Sequence, residues 1–232
     1  MISSQPPKLS VIIPTLNAAA VLPAAITQFN AAKADGLVAD IIVSDGGSHD
    51  DSVVLAQTAG ALVVAGHPGR GQQLARGAQA ASGDWLLFLH ADTRLDPGWE
   101  AAVTAFIAAK GENHAAAFAF ALDDDAPAAR RLERMVAWRG RWLALPYGDQ
   151  GLLISRKRYD QLGGFRPIPL MEDVDLVRRI GPKRLTILDC RALTSAARYR
   201  RDGYLRRSLR NLTCLSLFFA GAPPRLIARL YG

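Results

Sequence analysis

The chain has 232 residues, half of them hydrophobic, and a formal net charge of +7. That length fits a single domain with a substantial core, and the apolar content excludes an intrinsically disordered protein. No apolar run reaches the roughly 18–20 residues of a membrane-spanning helix, and the start of the chain lacks the pattern of a signal peptide.

The distribution of charge indicates the kind of binding partner, and the cysteine content indicates the cellular compartment. Residues 176–232 hold 13 Lys/Arg and 2 Asp/Glu, whereas residues 1–175 hold 15 and 19. The basic tail predicts an anionic partner, either a membrane surface or a phosphorylated substrate; nucleic acid is not expected, because zinc-finger and aromatic RNA-binding patterns are missing. Cys190 and Cys214 have neither metal-type spacing nor a disulfide framework, which indicates a reduced, cytoplasmic protein.

The first hundred residues alternate short apolar runs with helix-like stretches. The predicted strands are Leu9–Pro14, Asp40–Ser44, Ala61–Ala65 and Trp85–Leu89, and the predicted helices are Ala18–Lys33, Asp50–Gly60 and Gly71–Ala81. This alternation predicts an α/β protein with a mostly parallel sheet covered by helices on both faces. Right-handed crossovers place the strand C-terminal ends along one edge, where such sheets bind ligands.

The second half is less regular. Strands are predicted at Ala115–Leu122, Gly151–Ser155 and Leu185–Asp189, a helix from about Ala128 to Leu145, and an amphipathic helix from Gly203 to Ala220. Gly221 and the two prolines that follow end this last helix. No repeat or linker divides the chain, so one domain is predicted.

Polar loops follow the first three predicted strands: PTLN (14–17), SDGGSHDDS (44–52) and GHPGRGQQLARG (66–77). Asp45 comes directly after an apolar run, where a carboxylate can accept hydrogen bonds from a nucleobase or a ribose hydroxyl. The alternative is that Asp45 and Ser48 cap a helix. Gly46 lets the backbone turn sharply and approach a ligand closely.

The third loop resembles a dinucleotide fingerprint, but Leu74 replaces the last glycine and the loop follows the third strand rather than the first. A dinucleotide site is therefore not expected. Arg70 and Arg76 are either phosphate contacts or solvated surface residues.

The segment DWLLFLHADTRLD (84–96) delivers His90, Ala91 and Asp92 from the end of an apolar strand. It resembles the DxD signature of nucleotide-sugar glycosyltransferases, with His90 in place of the first aspartate. A carboxylate at this point suits a hard divalent cation that also takes phosphate oxygens. Taken alone, this motif favours a capping role for Asp92 over a metal-binding one.

Five segments in one order carry a wider resemblance: LSVIIPTLN, IIVSDGGSHDDS, ARGAQAASGDWLLFLHADT, YGDQGLLISRKRYDQLGGF and LMEDVDLVRRI. Together they resemble family 2 glycosyltransferases of the GT-A fold, from Leu9 to about Arg201. LHADT, YGDQG and SAARYRRDG resemble a small bacterial subgroup labelled as arsenosugar or cell-wall glycan synthesis. The resemblance implies a nucleotide-sugar-binding half over about 1–100, an acceptor and catalytic half over about 101–200, and C-terminal helices over about 203–232.

The resemblance also implies a donor site. Asp45 contacts the nucleobase or ribose, Asp92 holds Mg²⁺ or Mn²⁺ against the pyrophosphate, and His90 lies beside the ribose or a water. The implied nucleotide-sugar contacts are Pro14, Thr15, Asn17, Asp45, Gly46, Arg70, Gln73, His90, Ala91 and Asp92. A downstream histidine ligand found in many relatives has no counterpart, because no histidine follows His114.

On the acceptor side, the resemblance assigns Asp173 as general base of an inverting transfer and Glu172 as the residue that fixes geometry or binds acceptor. Both precede a helical run, whose positive start favours carboxylates, so an ordinary acidic first turn is the alternative. Asp149, Gln150 and Trp142 are the implied acceptor contacts. Trp138, Trp142 and Tyr147 also have helical spacing, and core packing is favoured for them over a sugar platform.

The tail leaves several alternatives open. Arg198 and Arg200 are candidates to contact the donor diphosphate. The helix after Gly203 carries a leucine stripe with arginines beside it, which suits an anionic bilayer, a second subunit as in a homodimer, or packing on its own domain. Packing on its own domain is favoured.

The predicted function is therefore inverting sugar transfer from a uridine- or guanosine-linked donor to a small-molecule, glycan or lipid-linked acceptor. The predicted location is the cytoplasm, with the inner membrane face as a peripheral site. The alternative is a catalytically silent nucleotide-sugar-binding or membrane-associated protein. A nucleotidyltransferase is disfavoured, because PTLNAAA (14–20) fills the place of its glycine-rich loop.

Overall fold

A computed structural model describes residues 8–143 and 148–231, apart from the side chains of residues 141–143 and 148. Its described strands form one eight-stranded sheet in the order β3-β2-β1-β4-β7-β6-β8-β5. They are β1 (Leu9–Thr15), β2 (Val38–Asp45), β3 (Leu62–Ala65), β4 (Trp85–Phe88), β5 (Thr93–Leu95), β6 (Ala115–Leu122), β7 (Leu152–Ser155) and β8 (Leu185–Thr194).

Strand direction brings many strand ends to one edge of the sheet. Strands β1 to β4 are mutually parallel, β7 is antiparallel to both β4 and β6, and β8 is parallel to β6. The C-terminal ends of β1, β2, β4, β6 and β8 therefore share an edge with the beginning of β7. Strand β5 closes the far side of the sheet antiparallel to β8.

Helices cover both faces of the sheet. They are α1 (Leu22–Thr27), α2 (Asn30–Ala34), α3 (Ser52–Thr58), α4 (Arg70–Ala80), α5 (Trp99–Lys110), α6 (Pro127–Leu143), α7 (Arg156–Gln161), α8 (Glu172–Ile180), α9 (Ala197–Asp202), α10 (Tyr204–Phe219) and α11 (Pro224–Tyr231). Short 3-10 turns lie at Gly148–Gln150 and Pro182–Arg184. No helix of the described residues is long and apolar enough to cross a membrane.

Alternating side chains of β1 divide the core into two layers. Val11 and Ile13 pack in one cluster with Phe29 and Trp99, whose rings meet edge to face at 5.2 Å. Ile12 points the other way, into a cluster formed with α4 and α8. Since successive strand residues face opposite sides, a continuous apolar run is what a sheet buried on both faces requires.

Two predicted elements differ from the structure by more than a few residues at their ends. The predicted helix Ala18–Lys33 is broken into α1 and α2, because Gln28 turns towards β5: its Nε2 donates to the Thr93 carbonyl at 3.2 Å, and the Leu95 amide donates to its Oε1 at 2.9 Å. Strand β8 runs five residues beyond the predicted end. A register shift between Phe118 and Ala119 leaves two residues of β8 unpaired with β6, and pairing then resumes to Thr194 at the shared edge.

Helix α10 packs on its own domain, contacting α6, α9 and α11 through the face that buries Arg207, Cys214 and Leu215. The predicted packing of the leucine stripe is wrong for Leu205, Leu209 and Leu212, which face solvent, Leu205 being 75% and Leu212 58% exposed. Core packing is also wrong for Trp138, which is exposed. The side chain of Trp142 and all of Tyr147 lie outside the described residues.

Candidate active site

A cavity of about 120 Å³, partly open to solvent, lies at the shared strand-end edge. Of the residues singled out from the sequence, it is lined by Arg70, His90, Asp92, Asp149, Glu172, Asp173 and Arg198. These residues come from five separate stretches of the chain. Asp92 and Asp173 thus share one cavity, whereas Asp45 is not part of its lining.

The end of β4 explains why an apolar strand delivers His90 and Asp92 to the cavity. The Leu89 amide makes the last ladder bond, to the Ile12 carbonyl at 3.0 Å. The chain then turns, with the Thr93 amide donating to the His90 carbonyl at 3.2 Å, and continues as β5. The three residues between the strands are free of the ladder, so two of their side chains reach the cavity.

A glycine places Asp149 beside the end of β4. Gly151 has φ +65°, and a Cβ there would lie 3.1 Å from the Leu89 side chain and 3.4 Å from the Phe88 carbonyl. Only glycine combines that left-handed conformation with so close an approach. Gln150 is buried and donates to the Phe118 carbonyl at 2.9 Å. It therefore supports the turn and, contrary to the prediction, does not line the cavity.

The start of α8 is held against the start of α4. Met171, just before the helix, has φ +67°, which is uncommon for a residue other than glycine and turns the chain into the cavity. A Cβ at Gly71 would collide with the Arg166 carbonyl, so glycine there lets the loop before α8 lie close. As a result Glu172, only 1% exposed, comes within 3.6 Å of Arg70, measured from Oε1 to Nε.

Two carboxyls of the cavity have raised pKa values. Burial, together with the charges of Asp173 and Asp92, raises the pKa of Asp149 to about 6. Burial and the adjacent Asp173 also raise the pKa of Glu172 above its ordinary value. Asp149 Oδ1 and Glu172 Oε1 are buried without a hydrogen-bond partner among the described residues. Because buried polar atoms are normally paired, these oxygens are candidate ligand contacts.

The donor set of the cavity fits a divalent cation that also binds phosphate. Burial, with the charges of Arg70 and Arg198, lowers the pKa of His90 well below its usual value, so the imidazole is neutral at pH 7. Asp92 lies two residues away and offers a carboxylate. The described residues contain no cluster of three metal-ligating side chains, so a cation at Asp92 would complete its shell with phosphate oxygens and water.

The predicted nucleoside contacts lie beside the cavity, in the loops after β1 and β2. Asp45 is 3% exposed. Its Oδ2 accepts from the amides of Gly47 (2.8 Å) and Ser48 (3.0 Å), and its Oδ1 accepts from the Ser48 hydroxyl (2.6 Å). The Ser48 hydroxyl also accepts from the Asn17 amide, at 2.8 Å. These bonds connect the two loops. They do not cap a helix, because α3 begins at Ser52 and its N-cap residue is Asp51, so the capping alternative is wrong.

Side chains of helix α4 hydrogen-bond to the same strand ends. Gln73 is buried, and its Nε2 donates to the carbonyls of Thr15 (2.8 Å) and Ser44 (2.9 Å). The Arg76 guanidinium donates to the Asp45 carbonyl at 2.7 Å. A Cβ at Gly46 would lie 3.0 Å from the Gln73 amide. Gln73 is therefore packed into the protein rather than exposed to the cavity. Two further predicted contacts, the half-buried Pro14 and Ala91, do not line the cavity either.

The basic residues of the tail separate into two groups. Arg198 lines the cavity. Arg200 instead donates to the Asp123 carbonyl at 3.1 Å and lies 3.4 Å from the Asp124 carboxylate, so it is not placed to reach a diphosphate in the cavity.

Sequence reasoning missed part of the cavity wall: Leu170, Met171, Thr194, Ser195, Tyr199, Arg207, Asn211 and Tyr231. Thr194 and Ser195 follow from the true end of β8, which an apolar pattern does not reveal. The residues of α10 and α11 were missed because the leucine stripe was assigned to the interior. The arginines on the opposite side of α10 were the feature of the sequence that could have indicated which side lines the cavity.

Comparison with known proteins agrees with the geometry. Residues 10–169 match the family model described as glycosyl transferase family 2. The glucosyl-3-phosphoglycerate synthase of Mycobacterium tuberculosis is 37% identical over 93 residues, which are 36% of this chain and 28% of that protein. A PGL/p-HBAD biosynthesis glycosyltransferase of Mycobacterium bovis is 36% identical over 110 residues, 44% of this chain and 41% of that protein. Each match spans less than half of the relative's length.

Solved structures resemble the whole fold. A crystal structure of the Mycobacterium tuberculosis synthase with Mn²⁺, uridine diphosphate and glucosyl-3-phosphoglycerate has a TM-score of 0.61 at 23% identity, covering 94% of this chain and 81% of that one. Mannosyl-3-phosphoglycerate synthase from Rubrobacter xylanophilus has a TM-score of 0.62 at 16% identity, covering 93% and 75%. The predicted GT-A fold is confirmed.

Proposed function

The chain belongs to glycosyl transferase family 2, and we propose that it moves a sugar, with inversion, from a nucleoside-diphosphate sugar to a hydroxyl acceptor. The observation that carries the proposal is the shared cavity, in which Asp92 follows β4 and Asp173 begins α8. Inversion requires a base on the acceptor side and charge stabilisation on the leaving-group side. The cavity offers these on separate elements.

The donor diphosphate is assigned to the part of the cavity formed by His90, Asp92 and Arg198. Asp92 would hold Mg²⁺ or Mn²⁺, which neutralises the charge that develops on the departing nucleoside diphosphate. The crystal structure of the mycobacterial relative with Mn²⁺ and uridine diphosphate supports a uridine-linked donor. A guanosine-linked donor is the alternative. The nucleoside is assigned to the adjoining loops of Thr15, Asn17 and Asp45.

Asp173 is assigned as the general base in preference to Glu172. Glu172 is almost fully buried and lies against Arg70, whereas Asp173 is partly exposed in the first turn of α8. In the transfer, the acceptor hydroxyl gives its proton to Asp173 as its oxygen bonds to the anomeric carbon. The bond from that carbon to the diphosphate oxygen breaks, and the nucleoside diphosphate leaves with the electron pair. Asp149, whose Oδ1 has no hydrogen-bond partner among the residues that the structure describes, is assigned to an acceptor hydroxyl.

The resemblance to the arsenosugar-type subgroup rests on LHADT and YGDQG, and membership of that subgroup stays a prediction. The mycobacterial relative was also crystallised with phosphoglyceric acid, a small acceptor. A small hydroxyl-bearing acceptor is therefore the first class to offer this chain.

The experiment compares Asp173→Asn with Asp189→Asn, a matched change at an exposed aspartate outside the cavity. Release of nucleoside diphosphate is followed with uridine- and guanosine-linked sugars, Mn²⁺ and an acceptor panel, and donor binding is followed by thermal shift. Loss of a general base lowers kcat by about 10²–10⁴-fold, so Asp173→Asn should bind donor with little turnover while Asp189→Asn stays near wild type.

Near-normal turnover by Asp173→Asn would remove the base assignment. Donor binding by the wild type without transfer, and without slow donor hydrolysis when acceptor is left out, would favour the catalytically silent protein. The replacement of the first aspartate of DxD by His90 is what keeps that alternative open.

A further inference from the structure

Helices α10 and α11 pack against each other and expose an apolar surface. Its residues are Leu205, Leu209, Leu212 and Phe219 on α10 and Leu226 and Leu230 on α11, here called the leucine face. On α10 these residues are spaced by four, three and seven positions, that is, by one or two helical turns, so they lie along one side of a helix that is about 24 Å long. Contiguous apolar surface of this kind on a protein marks an interaction site.

The orientation of α10 is fixed by its opposite side. Arg207 is buried, donating to Asp202 at 2.9 Å and to the Tyr231 hydroxyl at 3.2 Å, with its guanidinium over the rings of Tyr199 and Tyr231. Arg207, Asn211 and Tyr231 also line the cavity. Because the polar side of the hairpin is bound at the cavity, the apolar side must face outward.

Charge identifies what covers the leucine face. Residues 203–232 contain five arginines and no acidic residue. Of these arginines, Arg206, Arg225 and Arg229 are exposed on the same two helices as the leucine face. A second copy would bring two arginine-rich surfaces together, and like charges at an interface oppose association. Apolar side chains accompanied by arginines are the pattern of helices that lie in the surface of an anionic membrane.

We propose that the leucine face docks on an anionic lipid bilayer. The leucines and Phe219 enter the boundary between headgroups and acyl chains, and the exposed arginines contact lipid phosphates. Since the inner side of the same helices lines the cavity, docking brings the cavity close to the bilayer surface. The docking itself does not depend on the proposed sugar transfer.

The test measures co-sedimentation of the full chain with two kinds of vesicle, phosphatidylcholine alone and phosphatidylcholine with phosphatidylglycerol. The leucine variant is Leu209→Gln with Leu212→Gln, which keeps good helix-forming residues on exposed positions. The matched control is Val54→Gln, a polar change at a 61% exposed apolar residue of α3, away from the leucine face. The charge variant is Arg225→Gln with Arg229→Gln.

The wild type and Val54→Gln should bind anionic vesicles about tenfold or more tightly than neutral ones, since basic residues are attracted to anionic lipid. The leucine variant should lose about tenfold of that affinity and the charge variant several-fold, with unchanged circular dichroism and Tm. Absence of vesicle binding, equal binding of neutral vesicles, or a dimer in light scattering that the leucine variant dissociates would each overturn the proposal.

Discussion

Two neighbouring parts of the strand-end edge differ in whether their buried polar groups find hydrogen-bond partners within the described protein. In the loops after β1 and β2, Asp45 accepts three hydrogen bonds from its own loop, and Gln73 donates to both strand ends. Around the cavity, Asp149 is half-buried and Glu172 is buried, each has one oxygen without a hydrogen-bond partner among the described residues, and burial raises the pKa of both carboxyls. In the first part the polar groups hydrogen-bond within the protein and stabilise the fold. In the second part they remain candidates for hydrogen bonds to a ligand.

The comparison is tested most strongly at Asp92. Asp92→Ala removes the carboxylate assigned to the cation, and loss of a metal's charge stabilisation should cost several kcal/mol in the transition state, about a thousandfold in kcat/KM. Calorimetric titration with donor should show that Mn²⁺ strengthens binding to the wild type, an effect removed by chelation and absent from the variant. Equal donor affinity of both proteins with and without Mn²⁺ would take Asp92 out of this role.

Gln73→Ala, unlike Asp92→Ala, should lower the stability of the protein and leave catalysis nearly unchanged. It deletes two buried hydrogen bonds, those to the Thr15 and Ser44 carbonyls, so the free energy of unfolding should fall by about 1–3 kcal/mol. Urea unfolding measures this loss. Because Gln73 is outside the cavity, kcat should change little at temperatures where the variant is folded. Full stability combined with weakened donor binding would return Gln73 to the donor site.

Asp149→Asn tests whether a cavity carboxyl makes the free energy of unfolding depend on pH. The folded-state pKa of about 6 lies above the ordinary 3.8, so the folded state binds more protons and the free energy of unfolding falls as pH rises from about 4 to 6. The variant lacks this term, and above pH 6 it should be about 1–2 kcal/mol more stable than wild type, allowing for partial exposure. Denaturant unfolding across pH 4–8 checks this, with Asp189→Asn as control. An unchanged slope in Asp149→Asn would contradict the raised pKa.

The smallest expected effects separate Arg198 from Arg200. Arg198→Gln removes a cavity charge assigned to the diphosphate and should raise the KM for donor by about tenfold, since charge-assisted hydrogen bonds contribute about 1.5–3 kcal/mol. Arg200→Gln breaks exposed pairs with Asp123 and Asp124 and should change stability by less than about 1 kcal/mol. Its donor KM should match wild type. Equal increases in KM would show that both arginines reach the donor.

Apolar periodicity predicted most of the sheet because burial on both faces leaves a simple pattern. Strand β6 matches its predicted bounds, and β1, β2 and β4 differ by a few residues at most. Strand β5 was not predicted, because its three residues are held by pairing with β8 rather than by any apolar pattern of their own. The extension of β8 depends on a register shift, which is likewise a property of two strands together.

The site was predictable as a set of polar strand ends, and less so residue by residue. Sequence shows that Asp45, Gln150 and Asp149 follow or precede strands, but not whether a neighbour satisfies them. Gln150 is satisfied by the Phe118 carbonyl, which is distant in sequence, while Asp149 next to it retains an unpartnered oxygen. The predicted packing of the tail leucines was wrong for a related reason. An apolar stripe predicts an amphipathic helix, but it does not show which side of the helix faces the protein.

Strand β7 runs against both of its neighbours, so its beginning meets the cavity. The turn that carries Asp149 therefore enters from the opposite direction to the turns after β1, β2 and β4. Gln150 and Gly151 hold this turn against β6 and β4, so only position 149 can be exchanged to alter the proposed acceptor contact. The strand after the turn is paired on both sides, so a change confined to position 149 would leave the sheet in register.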